Sequence, residues 1–281
     1  MSQIKDRKQG LNVNAEEYDV FRDFLAKACG ITLGENKHYL VSSRLTSLLN
    51  ELKIDCLQEL VKQAQLRTAL KSRIIDAMTT NETFWFRDNY PFESLKSVIF
   101  PELRKRKTPT VRIWSAACST GQEPYSISMA LHEYLVSNPG APLRLQVTAT
   151  DISPTVLKEA AQARYDRAAV VRGLSTERRN RFFEQQQGDF WQLRKEVRER
   201  VTFRDINLLQ SYSLLGKFQV IFCRNVLIYF AAPAKEDIIK RMSDCLEPGG
   251  YLMLGSSESV SSFSSAFETV RANGGILYRK K

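Results

Sequence analysis

The chain has 281 residues, 43% of them hydrophobic and 26% charged, which is the balance of a globular protein with one large domain or two unequal ones. No apolar run approaches the ~20 residues of a membrane-spanning helix, and residues 1–14 lack the apolar core of a secretory signal, so we expect a cytoplasmic protein with no membrane insertion. The formal net charge of +10 predicts an acidic partner, but charge alone does not distinguish nucleic acid, membrane and protein.

The cysteines and histidines argue against a metal site. The five cysteines are scattered, odd in number and without a CxxC pair, as expected for reduced thiols rather than disulfides or a zinc site. The only histidines, His38 and His132, lie in no recognisable hydrolase motif. We therefore predict no metal centre and no histidine-based nucleophilic catalysis.

The first eighty residues carry helical patterns and no strand pattern. Apolar residues at helical spacing predict four helices, over residues 16–29, 37–52, 56–65 and 68–78. The second helix leaves Lys37 and Arg44 on its outward side, with Lys53 just after its end. We predict an all-helical domain over residues 1–80, whose basic face is either a solvated helix surface or a docking surface.

The pattern changes in the remainder of the chain. Residues 81–109 are predicted to be a linker with a connecting helix near residues 91–104. From residue 110 short apolar strands alternate with helices, with strands predicted at residues 111–116, 143–150, 218–223 and 251–255. This alternation predicts right-handed crossovers and a mainly parallel sheet, a Rossmann-like α/β domain over residues 110–281. Aromatic pairs at residues 178–204 predict short strands of a small inserted β-subdomain.

Three features near the predicted strand ends favour a cofactor pocket. The turn in residues 115–124 is rich in small residues that allow close backbone approach, but it lacks GxGxxG and alone is an ordinary strand-to-helix turn. Asp151 ends the second strand and either accepts both hydrogens of a ribose diol or caps the next helix. Glu123 lies in a first helical turn, where a carboxylate favours the helix dipole or binds a cationic amino group.

Longer motifs then point to one family. The Pro-Gly-Gly at residues 248–250 before a short buried strand, together with the turn and Asp151, is typical of Rossmann-like class I methyltransferases. Residues 81–87 (NETFWFR), 117–126 (ACSTGQEPYS) and 222–230 (FCRNVLIYF) closely resemble the CheR family of chemotaxis protein methyltransferases. The resemblance covers nearly the whole chain, including the helical N-terminal part.

The resemblance implies an S-adenosylmethionine-dependent protein-glutamate O-methyltransferase. Such an enzyme transfers a methyl group to glutamate side chains in the helical cytoplasmic region of chemoreceptors, forming glutamyl methyl esters and S-adenosyl-L-homocysteine. Nine positions match the family's cofactor contacts: Asn81, Thr83, Arg87, Glu123, Asp151, Asn207, Leu208, Asn225 and Val226.

The expected chemistry suits the residue types present. A glutamate carboxylate, with an ordinary pKa near ~4.3, is already a nucleophile at neutral pH and needs no general base. Arg87 and Tyr229 are the candidates for holding that carboxylate, with a surface ion pair and core packing as their respective structural alternatives. Because receptor methylation regions are rich in glutamate, Lys37, Arg44 and Lys53 are predicted to steer them, Arg44 above all.

One departure from the family pattern concerns tethering. Some CheR proteins bind a receptor's C-terminal pentapeptide through a glycine-rich loop in the β-subdomain. Residues 184–190 (EQQQGDF) are shorter and hold only Gly188. We therefore predict that this protein does not require the pentapeptide tether.

Two other classes of function remain as alternatives. A nucleic-acid methyltransferase would fit the positive charge, but amino-methylating enzymes carry an Asp/Asn-Pro-Pro-aromatic tetrad where residues 224–227 read RNVL, and no Pro-Cys nucleophile is present. A non-catalytic nucleotide-binding signalling module is disfavoured by the joint presence of Arg87, Glu123, Asp151 and Tyr229. We accordingly expect no nucleic-acid partner.

Overall fold

The computed structural model describes residues 13–108, 110–140, 143–260 and 265–281. It divides into two compact units, Met1–Thr80 and Asn81–Lys281. Residues 1–12, where no signal core was expected, and Pro109 at the end of the predicted linker lie outside the described residues. Within the described ranges, no helix is both long and apolar enough to cross a bilayer.

The N-terminal unit consists of helices, as predicted. Its four helices are α1 (Ala15–Cys29), α2 (His38–Leu52), α3 (Leu57–Leu66) and α4 (Thr68–Met78). A capping box starts α1, since the Asn14 side chain accepts the Glu17 N–H and the Glu17 side chain accepts the Asn14 N–H. Gly30, in the left-handed conformation, ends the helix. These local signals explain why the predicted bounds of α1 differ from the observed ones by only one residue.

The second unit opens with a loop and one continuous helical stretch. It comprises α5 (Tyr90–Ser94), a π-helical turn (Leu95–Ile99) and α6 (Phe100–Lys105), in place of the single helix predicted at residues 91–104. Pro101, at the start of α6, has no N–H to donate to the preceding turn, which is consistent with the widened helix before it.

The rest of the second unit alternates strands and helices. The strands are β1 (Thr110–Ala116), β2 (Arg144–Asp151), β3 (Arg164–Asp166), β4 (Phe183–Gln186), β5 (Phe190–Leu193), β6 (Val201–Asp205), β7 (Phe218–Cys223), β8 (Leu246–Leu254), β9 (Phe267–Ala272) and β10 (Gly275–Lys280). The helices are α7 (Gln122–Ser137), α8 (Pro154–Gln162), α9 (Arg167–Val171), α10 (Thr176–Phe182), α11 (Lys195–Arg198) and α12 (Ala232–Cys245).

Seven strands form one sheet in the order β6-β2-β1-β7-β8-β10-β9. The first five are parallel to one another, whereas β10 runs antiparallel to both β8 and β9. All six residues of β7 are buried, as expected for a central strand covered on both faces. Val220 and Phe222 belong to the apolar cluster that includes α7, and Ile221 and Cys223 to the cluster that includes α12. This sandwich confirms the predicted α/β fold.

The small inserted sheet differs from its prediction. It has the order β3-β5-β4 and therefore begins before residue 178, and residues 201–203, predicted to belong to it, lie elsewhere. That assignment was wrong, because β6 pairs in parallel with β2, from Val147 opposite Val201 to Asp151 opposite Asp205. Alternating apolar residues identify a strand but not its partner, which tertiary pairing decides.

Candidate functional site

Four parallel strands bring the candidate residues to one edge of the main sheet. At this edge β1 is followed by residues 117–121, β2 ends at Asp151, β6 ends at Asp205 and β7 ends at Cys223. The Ile206 N–H donates to the Asp151 carbonyl at 3.0 Å, which ties the exit of β6 to that of β2. Carboxyl ends of adjacent parallel strands, next to the point where the strand order reverses, are where open α/β sheets bind ligands.

The turn after β1 is a tight loop with unusual backbone conformations. Ala117, Ser119 and Gly121 have φ values of 57°, 50° and 95°, in the left-handed region. A Cβ at Gly121 would lie 3.0 Å from the Ala160 Cβ and 3.1 Å from the Tyr165 hydroxyl, so even a methyl group there would require these neighbours to shift. Backbone strain of this kind concentrates at functional sites.

Asp151 holds this loop through backbone hydrogen bonds. Its Oδ2 accepts the Ser119 N–H at 2.8 Å and its Oδ1 accepts the Ser153 N–H at 3.0 Å. The side chain that caps α8 is Ser153, whose Oγ accepts the Val156 N–H at 3.2 Å. Burial raises the pKa of Asp151, and its backbone N–H donors oppose that shift. A carboxylate offers about four acceptor positions, more than these backbone donors fill.

Glu123 is a nearly buried carboxylate in the first turn of α7. Its side chain is 13% exposed, and its two oxygens accept from the Ser115 hydroxyl at 2.8 Å and from Arg224 Nη1 at 2.9 Å. Burial raises the pKa of Glu123, whereas the Arg224 charge and the Ser115 hydroxyl lower it. The arrangement presents a paired acidic group at the carboxyl edge of the sheet.

The partner of Glu123 was missed by the sequence analysis. The Arg224 side chain is 1% exposed, and besides Glu123 its Nη2 donates to Asp88 Oδ2 at 2.7 Å and to the Arg87 carbonyl at 2.6 Å. Arg224 thus joins three segments of the site. The sequence does carry a signal for this role, since Arg224 directly follows a fully buried strand. A charge in that place requires partners.

Residues 81–89 run along the site in a second strained segment. Phe86, Asp88 and Asn89 have φ values of 50°, 65° and 49°. The segment is anchored where the Asn81 carbonyl accepts the Ser119 hydroxyl at 2.9 Å.

The predicted site residues of this segment differ in exposure. Asn81 is exposed, whereas Thr83 and Arg87 are half-buried. The Arg87 guanidinium lies 5.4 Å from the Phe84 ring centroid and donates to the Glu82 carbonyl at 3.2 Å.

The exits of β6 and β7 carry the remaining predicted residues. Asn207 Oδ1 accepts the Leu209 N–H at 3.0 Å, and the buried Leu208 accepts from Arg241 Nη2 at 2.9 Å through its carbonyl. After β7, Asn225 has a φ of 59° and Val226 precedes the 3-10 turn Leu227–Tyr229, in which the Tyr229 side chain is half-buried.

One buried acceptor in this region lacks a partner. Asn225 Oδ1 is buried and finds no hydrogen-bond donor within the part of the chain that the structure describes. A buried acceptor without a donor is costly in a folded protein unless a ligand supplies one. Together with Glu123 and Asp151, this oxygen forms a set of acceptors that suits a cofactor carrying an ammonium group, a ribose diol and further N–H donors.

The predicted docking residues of the N-terminal unit differ in exposure and in hydrogen bonding. Lys37 and Lys53 are exposed. Arg44, predicted on the outward side of its helix, is half-buried: its Nη1 donates to the Met78 and Thr79 carbonyls at 2.6 and 2.8 Å and its Nη2 donates to the Thr80 hydroxyl. Arg44 satisfies carbonyls left open at the end of α4.

Among the residues that the structure describes, no group of three or more His, Cys, Asp and Glu side chains is placed to hold a metal ion. All five cysteines are free, four of them buried. Burial raises the pKa of the Cys118 and Cys223 thiols, which disfavours the reactive thiolate form.

Both units match known protein families and curated proteins. Residues 16–79 match the family described as CheR methyltransferase, all-alpha domain, and residues 81–276 match CheR methyltransferase, SAM binding domain. The chain is 51% identical to the chemotaxis protein methyltransferase Cher2 of Pseudomonas putida, over 94% of this chain and 98% of that protein. It is 50% identical to chemotaxis protein methyltransferase 1 of Pseudomonas aeruginosa, over 94% and 98%. The chemotaxis protein methyltransferase of Vibrio parahaemolyticus is 45% identical, over 96% and 99%.

Proposed function

The chain belongs to the CheR methyltransferase family, and from that premise we propose that it is a chemotaxis protein methyltransferase that esterifies glutamate side chains of chemoreceptors with the methyl group of S-adenosylmethionine. The observation that carries the proposal is the convergence of Glu123, Asp151 and Asn225 at one edge of the sheet, in a chain that matches both domains of the family.

The cofactor-binding roles follow from the charge and hydrogen-bonding capacity of the residues. Glu123 binds the cofactor's ammonium group, and Asp151 accepts from the ribose hydroxyls with the lone pairs that its backbone donors leave free. The residues proposed to contact the cofactor are Asn81, Thr83, Arg87, Glu123, Asp151, Asn207, Leu208, Asn225 and Val226. When bound, the cofactor supplies a methyl group activated by its sulfonium charge.

The acceptor needs orientation rather than activation. A glutamate carboxylate is ionised at neutral pH, so the protein has to hold it in line with the methyl group and exclude water. Arg87 and Tyr229, both half-buried, are proposed to hold it through a guanidinium and a hydroxyl. Orientation of this kind lowers a barrier by up to roughly 7–11 kcal/mol.

The partner is proposed to be the helical cytoplasmic region of a chemoreceptor, which places the enzyme's action in the cytoplasm. The exposed Lys37 and Lys53 are suited to attract a glutamate-rich helix. Arg44, in α2, instead has a structural role, because its hydrogen bonds cap the end of α4.

The small sheet supports the proposal that no pentapeptide tether is required. Its strands β4 and β5 are joined by only three residues, 187–189, rather than by a glycine-rich loop. Calorimetric titration with a receptor C-terminal peptide is expected to give no measurable binding, and micromolar or tighter affinity would contradict this part of the proposal.

The whole proposal is tested with tritiated S-adenosylmethionine and a panel of receptor cytoplasmic fragments. We expect label on a receptor fragment that is released by mild base, as a carboxyl ester is, and that persists after nuclease treatment. The Tyr229→Phe variant removes only the hydroxyl proposed to hold the acceptor and should transfer less label. Label only on nucleic acid would favour a nucleic-acid methyltransferase, and cofactor binding without transfer to any fragment would favour a non-catalytic module.

A further inference from the structure

A single carboxylate, distant in sequence, holds the segment that follows β7. Glu258 Oε2 accepts the backbone N–H groups of Asn225 and Gly255, both at 2.7 Å. Its Oε1 accepts those of Val226 at 3.0 Å and Ile228 at 3.3 Å. Four main-chain donors therefore converge on one side chain that lies more than thirty residues beyond β7.

The chemistry of this contact calls for a charged acceptor. An ionised carboxylate offers about four acceptor positions and no donor, which matches four converging N–H groups. Such charge-assisted bonds are roughly twice as strong as neutral ones. A turn whose successive N–H groups point inward, as they do around the left-handed Asn225, forms an anion-binding concavity, and here the protein supplies the anion itself.

The surroundings leave this arrangement little freedom. A Cβ at Gly255 would lie 2.7 Å from Glu258 Oε2 and 2.7 Å from Asn225 Nδ2. The end of β8, the carboxylate and the segment after β7 are therefore packed against each other, and a shift of Glu258 would move Asn225.

We propose that Glu258 is a positioning residue: it sets the backbone of residues 225–229 so that the unpaired Asn225 Oδ1 faces the cofactor and Tyr229 faces the methyl acceptor. This inference rests on the proposed assignment of Asn225 and Val226 to the cofactor site. In this proposal Glu258 acts through the backbone and contacts neither cofactor nor acceptor.

The test is S-adenosyl-L-homocysteine binding to the full chain by calorimetry, which needs no methyl acceptor. Glu258→Gln keeps the size of the side chain but turns an NH₂ toward N–H donors, and we expect the dissociation constant to rise about tenfold or more. Glu236→Gln, at an exposed position on α12, is the matched control and should bind as the unmodified chain does. A Glu258→Gln variant that is folded and binds with unchanged affinity overturns the inference.

A double-mutant cycle separates positioning from general destabilisation. If Glu258 acts through Asn225, the effect of Glu258→Gln on affinity should shrink strongly in an Asn225→Ala background, whereas additive effects would overturn the inference. Should Glu258→Gln fail to fold, Glu258→Asp takes its place in the cycle; it keeps the charge but shortens the reach, and full affinity in it would also overturn the inference. An unmodified chain that does not bind S-adenosyl-L-homocysteine would instead count against the proposed function.

Discussion

At the scale of the residue, the site depends on one buried cation that is shared among several acceptors. Arg224 is almost fully buried and is stabilised by two carboxylates, Glu123 and Asp88, and by the Arg87 carbonyl. A buried ion pair contributes little net stability, but removing one partner leaves an uncompensated charge and is costly. Arg224 therefore matters mainly because it fixes where Glu123 and residues 87–88 lie.

The first prediction concerns this cation. Arg224→Met leaves the buried Glu123 carboxylate without its positively charged partner. It should therefore lower the free energy of unfolding by about 3 kcal/mol and weaken S-adenosyl-L-homocysteine binding. Arg73→Met, which breaks a solvent-exposed ion pair with Glu51, should cost much less. Denaturant unfolding and calorimetry measure both quantities, and equal costs in the two variants would contradict the prediction.

The second prediction is a pH dependence. Because burial raises the pKa of Glu123, protonation should begin to weaken S-adenosyl-L-homocysteine binding at a higher pH than for an ordinary glutamate. The effect of pH on folding stability has the opposite direction. Because the pKa of Glu123 is raised in the folded state, the contribution of this group to stability falls as pH rises through that pKa. In Glu123→Gln, affinity measured across pH should be lower near neutrality and flatter below it. If the affinity of Glu123→Gln changed with pH in parallel with that of the unmodified chain, this would argue that the ionised Glu123 does not contribute to binding.

At the scale of the element, short loops at the carboxyl edge shape the site more than the strands do. The strands and helices supply buried apolar faces, whereas residues 117–121 and 86–89 hold left-handed backbone conformations that non-glycine residues adopt only at a cost. Backbone N–H groups of these loops donate to side chains outside them, Ser119 to Asp151 and Phe86 to Ser126, and these hydrogen bonds offset that cost.

The third prediction tests the turn after β1. Gly121→Ala should cost about 2–4 kcal/mol, since it combines a left-handed alanine with overpacking against Ala160 and Tyr165. Gly274→Ala also has a positive φ but nothing within 4 Å, and should cost only about 1 kcal/mol. Thermal unfolding gives the comparison. Cofactor affinity should fall in Gly121→Ala alone, and an equal loss in both variants would be evidence against the close-packed turn.

At the scale of the whole molecule, the excess of positive charge favours an acidic partner. The net charge of +10 includes Lys37 and Lys53, which remain exposed in the N-terminal unit. Exposed charges change association rates more than they change stability, and salt screens their effect.

The fourth prediction follows from this charge. Reversing both lysines, Lys37→Glu with Lys53→Glu, should slow methylation of receptor fragments severalfold at low salt and much less at high salt, without lowering the melting temperature. Arg44→Glu should instead destabilise the N-terminal unit, because it removes donors from the end of α4. Initial rates at two ionic strengths, with melting curves of each variant, distinguish steering from folding. An unchanged rate at low salt for the double variant would contradict the docking proposal.

Much of the fold was predictable from local patterns. Helical spacing placed α1 to α4 within one residue of their observed ends, and the largely apolar run of β7 predicted its bounds without error. The family resemblance carried the S-adenosylmethionine-binding fold, and both family matches confirm it. It also placed the nine proposed cofactor contacts, which remain predictions.

The tertiary structure decided what depends on partners distant in sequence. Four features join segments that lie far apart in the chain. They are the strand pairing of residues 201–205, the burial of Arg224 against Glu123, the capping of α4 by Arg44 and the hydrogen bonds of Glu258 to residues 225–228. Periodicity and capping act over a few residues and are visible in the sequence alone. The partner of a strand or of a buried charge is selected only when the chain packs, because desolvated polar groups must then find their counterparts.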